Sequence, residues 1–214
     1  MSRERWRDSV RDWLRTPDGQ MRRRPFALVA LLGYLLFTVT YVPINLLSAG
    51  RRAYTLFLPG EERLPFLPVF EYLYLLTFFV GPLLVLTVRE YPQFVRLMRA
   101  LAIALGLAYT TYLIFPVYFE RPTLHVDSLH TWLLSLKYRD GPYNHFPSLH
   151  VTLSWIAVQA VQVPARRRRL LMGLAVGVSV STIFVKQHYI VDVLAGGVLA
   201  WFAWRMARPT HAPH

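Results

Sequence analysis

The chain has 214 residues, 54% of them hydrophobic, and a formal net charge of +12. So much apolar and so much charged sequence together suit one soluble core poorly and suit membrane spans joined by charged loops. The absence of cysteine excludes disulfides, thiolate metal sites and cysteine nucleophiles, and the apolar blocks make membrane orientation a better account of the basic excess than nucleic-acid binding.

In chain order, residues 1–24 read as a cytoplasmic basic amphipathic segment. Trp6, Val10, Trp13 and Leu14 share one helical face with Arg elsewhere, the pattern of a helix lying on the inner leaflet. The charged lead and the length of the first apolar run argue against a signal peptide. Residues 25–208 read as one six-helix membrane domain and 209–214 as a cytoplasmic tail. A crossing needs roughly 17–25 apolar residues. The expected spans are 26–49, 64–88, 94–115, 146–163, 170–185 and 189–204. Glu71 and three prolines interrupt the second, and Asp192 interrupts the last. The segment 116–145 is the one long outer loop. Within it, 127–137 is expected to form a short interfacial helix with Asp127 as its N-cap. Gly173-x-x-x-Gly177 in the fifth span is of the kind that permits close helix packing.

With the N-terminus inside, 17 of the 24 basic residues fall on the cytoplasmic side and seven on the outer side. The positive-inside rule then places both termini in the cytoplasm. The expected fold is thus an all-α polytopic membrane protein of six transmembrane helices, with a short interfacial helix between spans three and four. The expected location is the cell (inner) membrane.

The same topology brings the chemistry-bearing residues to the outer face, where ionisable groups beside a span are functional candidates. His188 and Asp192 are four residues apart and share a helical face. A hydrogen bond between them would fix the tautomer of His188 and leave its other nitrogen as nucleophile or base; a structural polar pair is the alternative. Ser148 and His150 follow Pro147 at an expected helix start, either an anion site or an ordinary N-cap with a solvated histidine. Arg121 could grip phosphate bidentately or anchor the loop at the interface. Lys186 supplies a further cation or snorkels to the interface. A proton relay in a channel or transporter is a competing use of His188 and Asp192. A metal site from His125, His130, His145 and His150 fits poorly, since Pro147 breaks the register between the last two. Taken together, the set supplies what phosphoryl transfer needs: positioning, charge neutralisation and proton delivery.

Arg121-Pro122, Pro147-Ser148-Leu149-His150, and Ser181, His188 and Asp192 match the ends and spacings of three motifs. On these residues the sequence resembles the type 2 phosphatidic-acid phosphatase superfamily, integral-membrane enzymes with six core helices. The resemblance implies that His188 attacks phosphorus and carries a phospho-histidine, that Asp192 orients it, and that His150 protonates the leaving oxygen. It also implies that Arg121 and Ser148 hold phosphate oxygens and that no metal or other cofactor is needed. Two family cations are absent, their positions being Ile114 and Thr182; Lys186, one helical turn after Thr182, is placed to restore one charge at the phosphate. The form of the second and third motifs looks most like the inositol-phosphorylceramide synthase branch. The expected activity is hydrolysis of a phospholipid or polyprenyl (pyro)phosphate at the extracytoplasmic face. The alternative is transfer of a phospho-headgroup to a lipid or glycan hydroxyl.

Overall fold

The computed structural model describes residues 3–208; the expected tail at 209–214 lies outside them. The described residues are helical and contain no strand, only isolated bridges. The first helix, α1 (Arg3–Leu14), turns Val10 and Leu14 into the core, while Trp6 and Trp13 stay exposed. Helix α2 (Arg23–Ser48) presents a long apolar face to the outside, including Leu31, Leu35, Val39 and Val42.

The run expected at 64–88 is not one uniform helix. It begins with a 3₁₀ turn at Pro68–Phe70, passes through α3 (Glu71–Tyr74) and a second 3₁₀ stretch at Leu75–Phe79, and ends as α4 (Val80–Thr87). Pro68 and Pro82 each remove a backbone donor, and Gly81 adds conformational freedom, so regular i→i−4 bonding is interrupted along it. Helix α5 (Tyr91–Ile114) starts with Pro92 in its first turn, where the missing N–H costs nothing, and stops before Pro116. Next comes α6 (Leu129–Lys137), whose N-cap is Ser128 rather than the expected Asp127. Ser128 Oγ lies 2.9 Å from Thr131 Oγ1, and that hydroxyl accepts from Ser128 N at 3.0 Å. The reciprocal bond makes Ser128 the better cap.

The last three helices are α7 (Leu149–Ala160), α8 (Ala165–Phe184) and α9 (Ile190–Met206). Among the described residues, α2 and α5 are long and apolar enough to cross a membrane. The other four expected spans take different forms. The second is broken as above, α7 has 12 residues and α9 has 17, and α8 takes Arg166–Arg169 into its first turns. Pro147 and Pro164 bound α7 and shorten it.

Helix α7 lies at the centre, packed on α4, α5, α8 and α9. Helices α5 and α9 also pack on each other, and each brings small buried residues to the shared core, Ala100, Ala104 and Ala108 from α5 and Ala200 and Ala203 from α9. The glycine that sets a close helix approach is Gly196 of α9. A Cβ there would stand 2.6 Å from the Ser148 carbonyl and 3.1 Å from Val151 Cβ. The expected Gly173-x-x-x-Gly177 packing motif is not used in that way. Gly173 has no neighbour within 4 Å of an added Cβ, and Gly177 meets only the side chain of Leu73, at 3.9 Å.

Candidate active site

Two chain reversals build the site. After α8 the backbone turns at Lys186, whose φ of +53° is in the left-handed region. The amides of Gln187 and His188 both return to the Thr182 carbonyl, at 2.9 and 3.2 Å. This compact C-cap delivers His188 directly to the start of α9. There Asp192 Oδ2 accepts from Tyr189 N at 2.9 Å, and Glu61 Oε1 accepts from Ile190 N at 2.6 Å. Two carboxylates thus satisfy the free amides and the positive end of the α9 dipole. The second reversal precedes α7, where Ser148 Oγ caps Val151 N at 3.4 Å. Ser148 N reaches across to the Asp192 carbonyl at 3.1 Å, and Thr152 Oγ1 donates to the carbonyls of Ser148 and Gly196 at 2.8 and 3.0 Å. The starts of α7 and α9 are therefore bolted together where Gly196 lets them approach.

That contact brings the two expected histidines together. His188 Nδ1 lies 3.3 Å from Asp192 Oδ2, and His188 Nε2 lies 3.2 Å from His150 Nδ1. The other nitrogen of His150 is 2.7 Å from the Tyr74 hydroxyl. His188 and Asp192 are buried. Asp192 Oδ1 has no hydrogen-bond partner, a costly state that a donor entering the site would relieve.

A third histidine completes the cluster. The His145 ring centroid is 5.3 Å from that of His188, edge to face. His145 Nδ1 lies 2.6 Å from the Gln187 carbonyl, so that nitrogen donates. Burial, followed by the electrostatic influence of His188 and Arg121, holds this imidazole well below its usual range. It is therefore neutral with its lone pair on Nε2, which has no hydrogen-bond partner. His145, His188 and Asp192 offer ligand atoms within 4.8 Å of one another, a set able to hold a metal ion. It differs from the set weighed from sequence: His125 is exposed, and His130 is held by Ser128 Oγ at 3.1 Å.

The expected cations are placed differently from one another. Arg121 donates to the carbonyls of Tyr138 and Gly141 at 2.6 and 2.8 Å, and its charge acts on His145 and His150. Lys186 Nζ donates to the Leu64 carbonyl at 2.8 Å. Burial pushes its pKa down, and the nearby Glu61 carboxylate pushes it back up. Of the two family cation positions, Thr182 is buried with its hydroxyl on the Ser179 carbonyl, and Ile114 closes α5 at 74% exposure.

Sequence reasoning did not name Tyr74 or Lys137 for this site, and weighed His145 only as a metal ligand. Lys137 Nζ sits 3.5 Å from the Phe78 ring centroid and 5.4 Å from that of Tyr74, and its charge also reaches His150. A partial signal existed, since Glu71, Tyr74 and Phe78 recur at intervals of three and four within an apolar run. An apolar groove of about 400 Å³ runs between α7, α8 and α9, lined by Val151, Trp155, Val193 and Leu194 among others. Val151 and Val193 are the chain neighbours of His150 and Asp192.

Residues 97–212, more than half of the chain, match the model of the PAP2 superfamily. No curated protein and no solved structure matches it. The chain belongs to the PAP2 superfamily, whose members are phosphoesterases or phosphotransferases acting on phosphate esters.

Proposed function

We propose that this PAP2 superfamily member is an integral-membrane lipid phosphate phosphatase working through a phospho-histidine on His188. The observation that carries the reading is the His188 ring held between Asp192 and His150. Asp192 fixes Nδ1 as the protonated nitrogen, which leaves the Nε2 lone pair for attack on phosphorus. His150, across from Nε2, delivers the proton to the leaving oxygen and later takes one from the attacking water. Ser148 and Arg121 hold the phosphate oxygens, the first at the α7 N-terminus where free amides and the dipole favour an anion, the second as a fixed cation. Lys186, with its ammonium on the Leu64 carbonyl, we assign to holding the turn before α9. No step in this scheme requires a metal.

The membrane placement is part of the same proposal. The chain crosses six times, with 25–208 as the membrane domain, 1–24 on the inner leaflet, both termini cytoplasmic and the site on the extracytoplasmic face of the cell membrane. The basic asymmetry supports the orientation, and the exposed apolar face of α2 supports burial in lipid. The groove beside His150 and Asp192 suits the acyl chains of a lipid donor, so the substrate is a phospholipid or a polyprenyl (pyro)phosphate.

One observation favours a second reading. The two positions at which the family carries extra cations hold Ile114 and Thr182, and neither offers a charge. A phosphodiester carries one negative charge where a monoester carries up to two, so the site also suits transfer of a phospho-headgroup to a lipid or glycan hydroxyl. Incubating the purified protein with labelled phosphatidic acid, or with labelled phosphatidylinositol plus ceramide, separates the two: free phosphate supports the phosphatase and a new phospholipid the transferase. His188→Ala should abolish both products; substantial remaining turnover would overturn the mechanism.

A further inference from the structure

His150 uses both of its ring nitrogens, and the bonds it makes have one consistent proton arrangement. An ionised Asp192 only accepts, so His188 carries its proton on Nδ1 and its lone pair on Nε2. The 3.2 Å contact then requires His150 to donate from Nδ1. Its Nε2 is left as the acceptor, and the Tyr74 hydroxyl at 2.7 Å is the donor. The series reads Tyr74 O–H to His150, His150 N–H to His188, His188 N–H to Asp192.

This arrangement has a consequence for the chemistry. A phosphoryl group attacked by His188 Nε2 must part the two histidine rings, which leaves His150 Nδ1–H facing the departing oxygen. A neutral His150 that gave up this proton without receiving another would become an imidazolate, a poor outcome for a general acid. The residue placed to supply the second proton is Tyr74. Glu71, Tyr74 and Phe78 all come from the broken second run, with Glu71 and Tyr74 in α3 and Phe78 in the 3₁₀ stretch that follows. Lys137 lies against the rings of Phe78 and Tyr74. Its ammonium acts electrostatically on the buried Glu71 carboxyl group and, with the Arg121 guanidinium, on His150.

We propose that Tyr74 is a positioning residue for leaving-group departure, holding His150 in the Nδ1–H tautomer and passing its hydroxyl proton to Nε2 as Nδ1 protonates the departing oxygen. The idea rests on the phospho-histidine reading above. In the first half-reaction the bond from His188 Nε2 to phosphorus forms and the ester P–O bond breaks. The leaving oxygen takes the Nδ1 proton, and Nε2 takes the Tyr74 proton. Lys137 balances the resulting tyrosinate. In the second half-reaction the incoming water oxygen bonds to phosphorus and the P–N bond breaks. The water proton goes to Nδ1, and the Nε2 proton returns to Tyr74.

The test is Tyr74→Phe, which keeps the buried ring and removes only the hydroxyl. It is assayed by kcat/KM on dioctanoyl phosphatidic acid, whose alkoxide must be protonated to leave, and on para-nitrophenyl phosphate, whose leaving group departs as the anion. The expected result is a loss of about 10²-fold on phosphatidic acid, in the range for removal of acid–base assistance, with the aryl ester changed by no more than about threefold. Lys137→Gln should show the same selectivity with a smaller loss. An equal loss on both substrates would mean a structural role, and no loss on phosphatidic acid would mean no role; either overturns the proposal. His188→Ala run alongside separates the two levels. If it is inactive on both esters while Tyr74→Phe behaves as wild type, only the relay fails; if it is active, the phospho-histidine reading fails with it.

Discussion

Gly196→Ala should damage the site through geometry alone, with no loss of a functional group. The added Cβ would stand 2.6 Å from the Ser148 carbonyl, whereas ordinary contact begins at 3.4 Å, so α7 and α9 must separate by roughly 0.8 Å. The obstructing atom is backbone at the capped start of a central helix, and Val151 Cβ at 3.1 Å and Thr152 Oγ1 at 3.3 Å block a sideways escape. Overpacking of this kind costs about 1–3 kcal/mol, offset by the roughly 1 kcal/mol that alanine gains over glycine in a helix. The net change in Tm in detergent should therefore be a fall of a few degrees. The effect on rate should be larger. Asp192 is one turn before Gly196 on the same face, and its carbonyl accepts from Ser148 N at 3.1 Å. A shift approaching 1 Å between His150 and the His188–Asp192 pair should lower kcat by up to about 10²-fold. Gly173→Ala in α8 is the internal control, because an added Cβ there meets nothing within 4 Å; it should leave kcat unchanged and raise Tm slightly. Equal behaviour of the two variants, in Tm and kcat, would refute the claim that Gly196 sets the distance between the two catalytic helices.

Other outcomes follow from the placement of individual side chains. Lys186→Ala should lower Tm slightly and leave KM within about twofold, since its ammonium serves the Leu64 carbonyl and is partly exposed; a tenfold rise in KM would put it on the substrate phosphate. His145 is held neutral in the fold, whereas the unfolded chain takes up its proton below about pH 6.5. Acidification through that value therefore favours the unfolded state. Tm should fall between pH 7 and pH 5, and His145→Gln should flatten the fall; an unchanged slope would contradict a neutral buried His145. Treatment with EDTA should leave turnover unchanged in the metal-free scheme, and loss of activity restored by a divalent ion would assign a metal to His145, His188 and Asp192.

Much of the local structure was legible in the residues because it depends on near neighbours. Apolar runs and prolines mark where α2, α5, α8 and α9 begin and end to within a few residues. The His188–Asp192 contact was expected as an i, i+4 relation on one helical face, but His188 lies before α9 begins at Ile190, and the turn after α8 is what brings it to Asp192. The second expected span read as one helix because its mean apolarity says nothing of how Pro68, Gly81 and Pro82 disturb hydrogen bonding along it. The Gly173-x-x-x-Gly177 pattern failed as a packing signal because a glycine pair creates a groove without supplying a neighbour to fill it.

Relations between distant segments were decided only by the packed chain. Tyr74 and His150 are 76 residues apart and meet at 2.7 Å because the broken second run, the end of α6 and the start of α7 converge at one place. Lys137 reaches the same place from a helix whose sequence shows only an amphipathic turn. Spacing along a chain reports contacts within one helix, where 3.6 residues per turn set every distance. Which faces of different helices meet depends on the combined shape of many side chains, here on a single absent Cβ at Gly196.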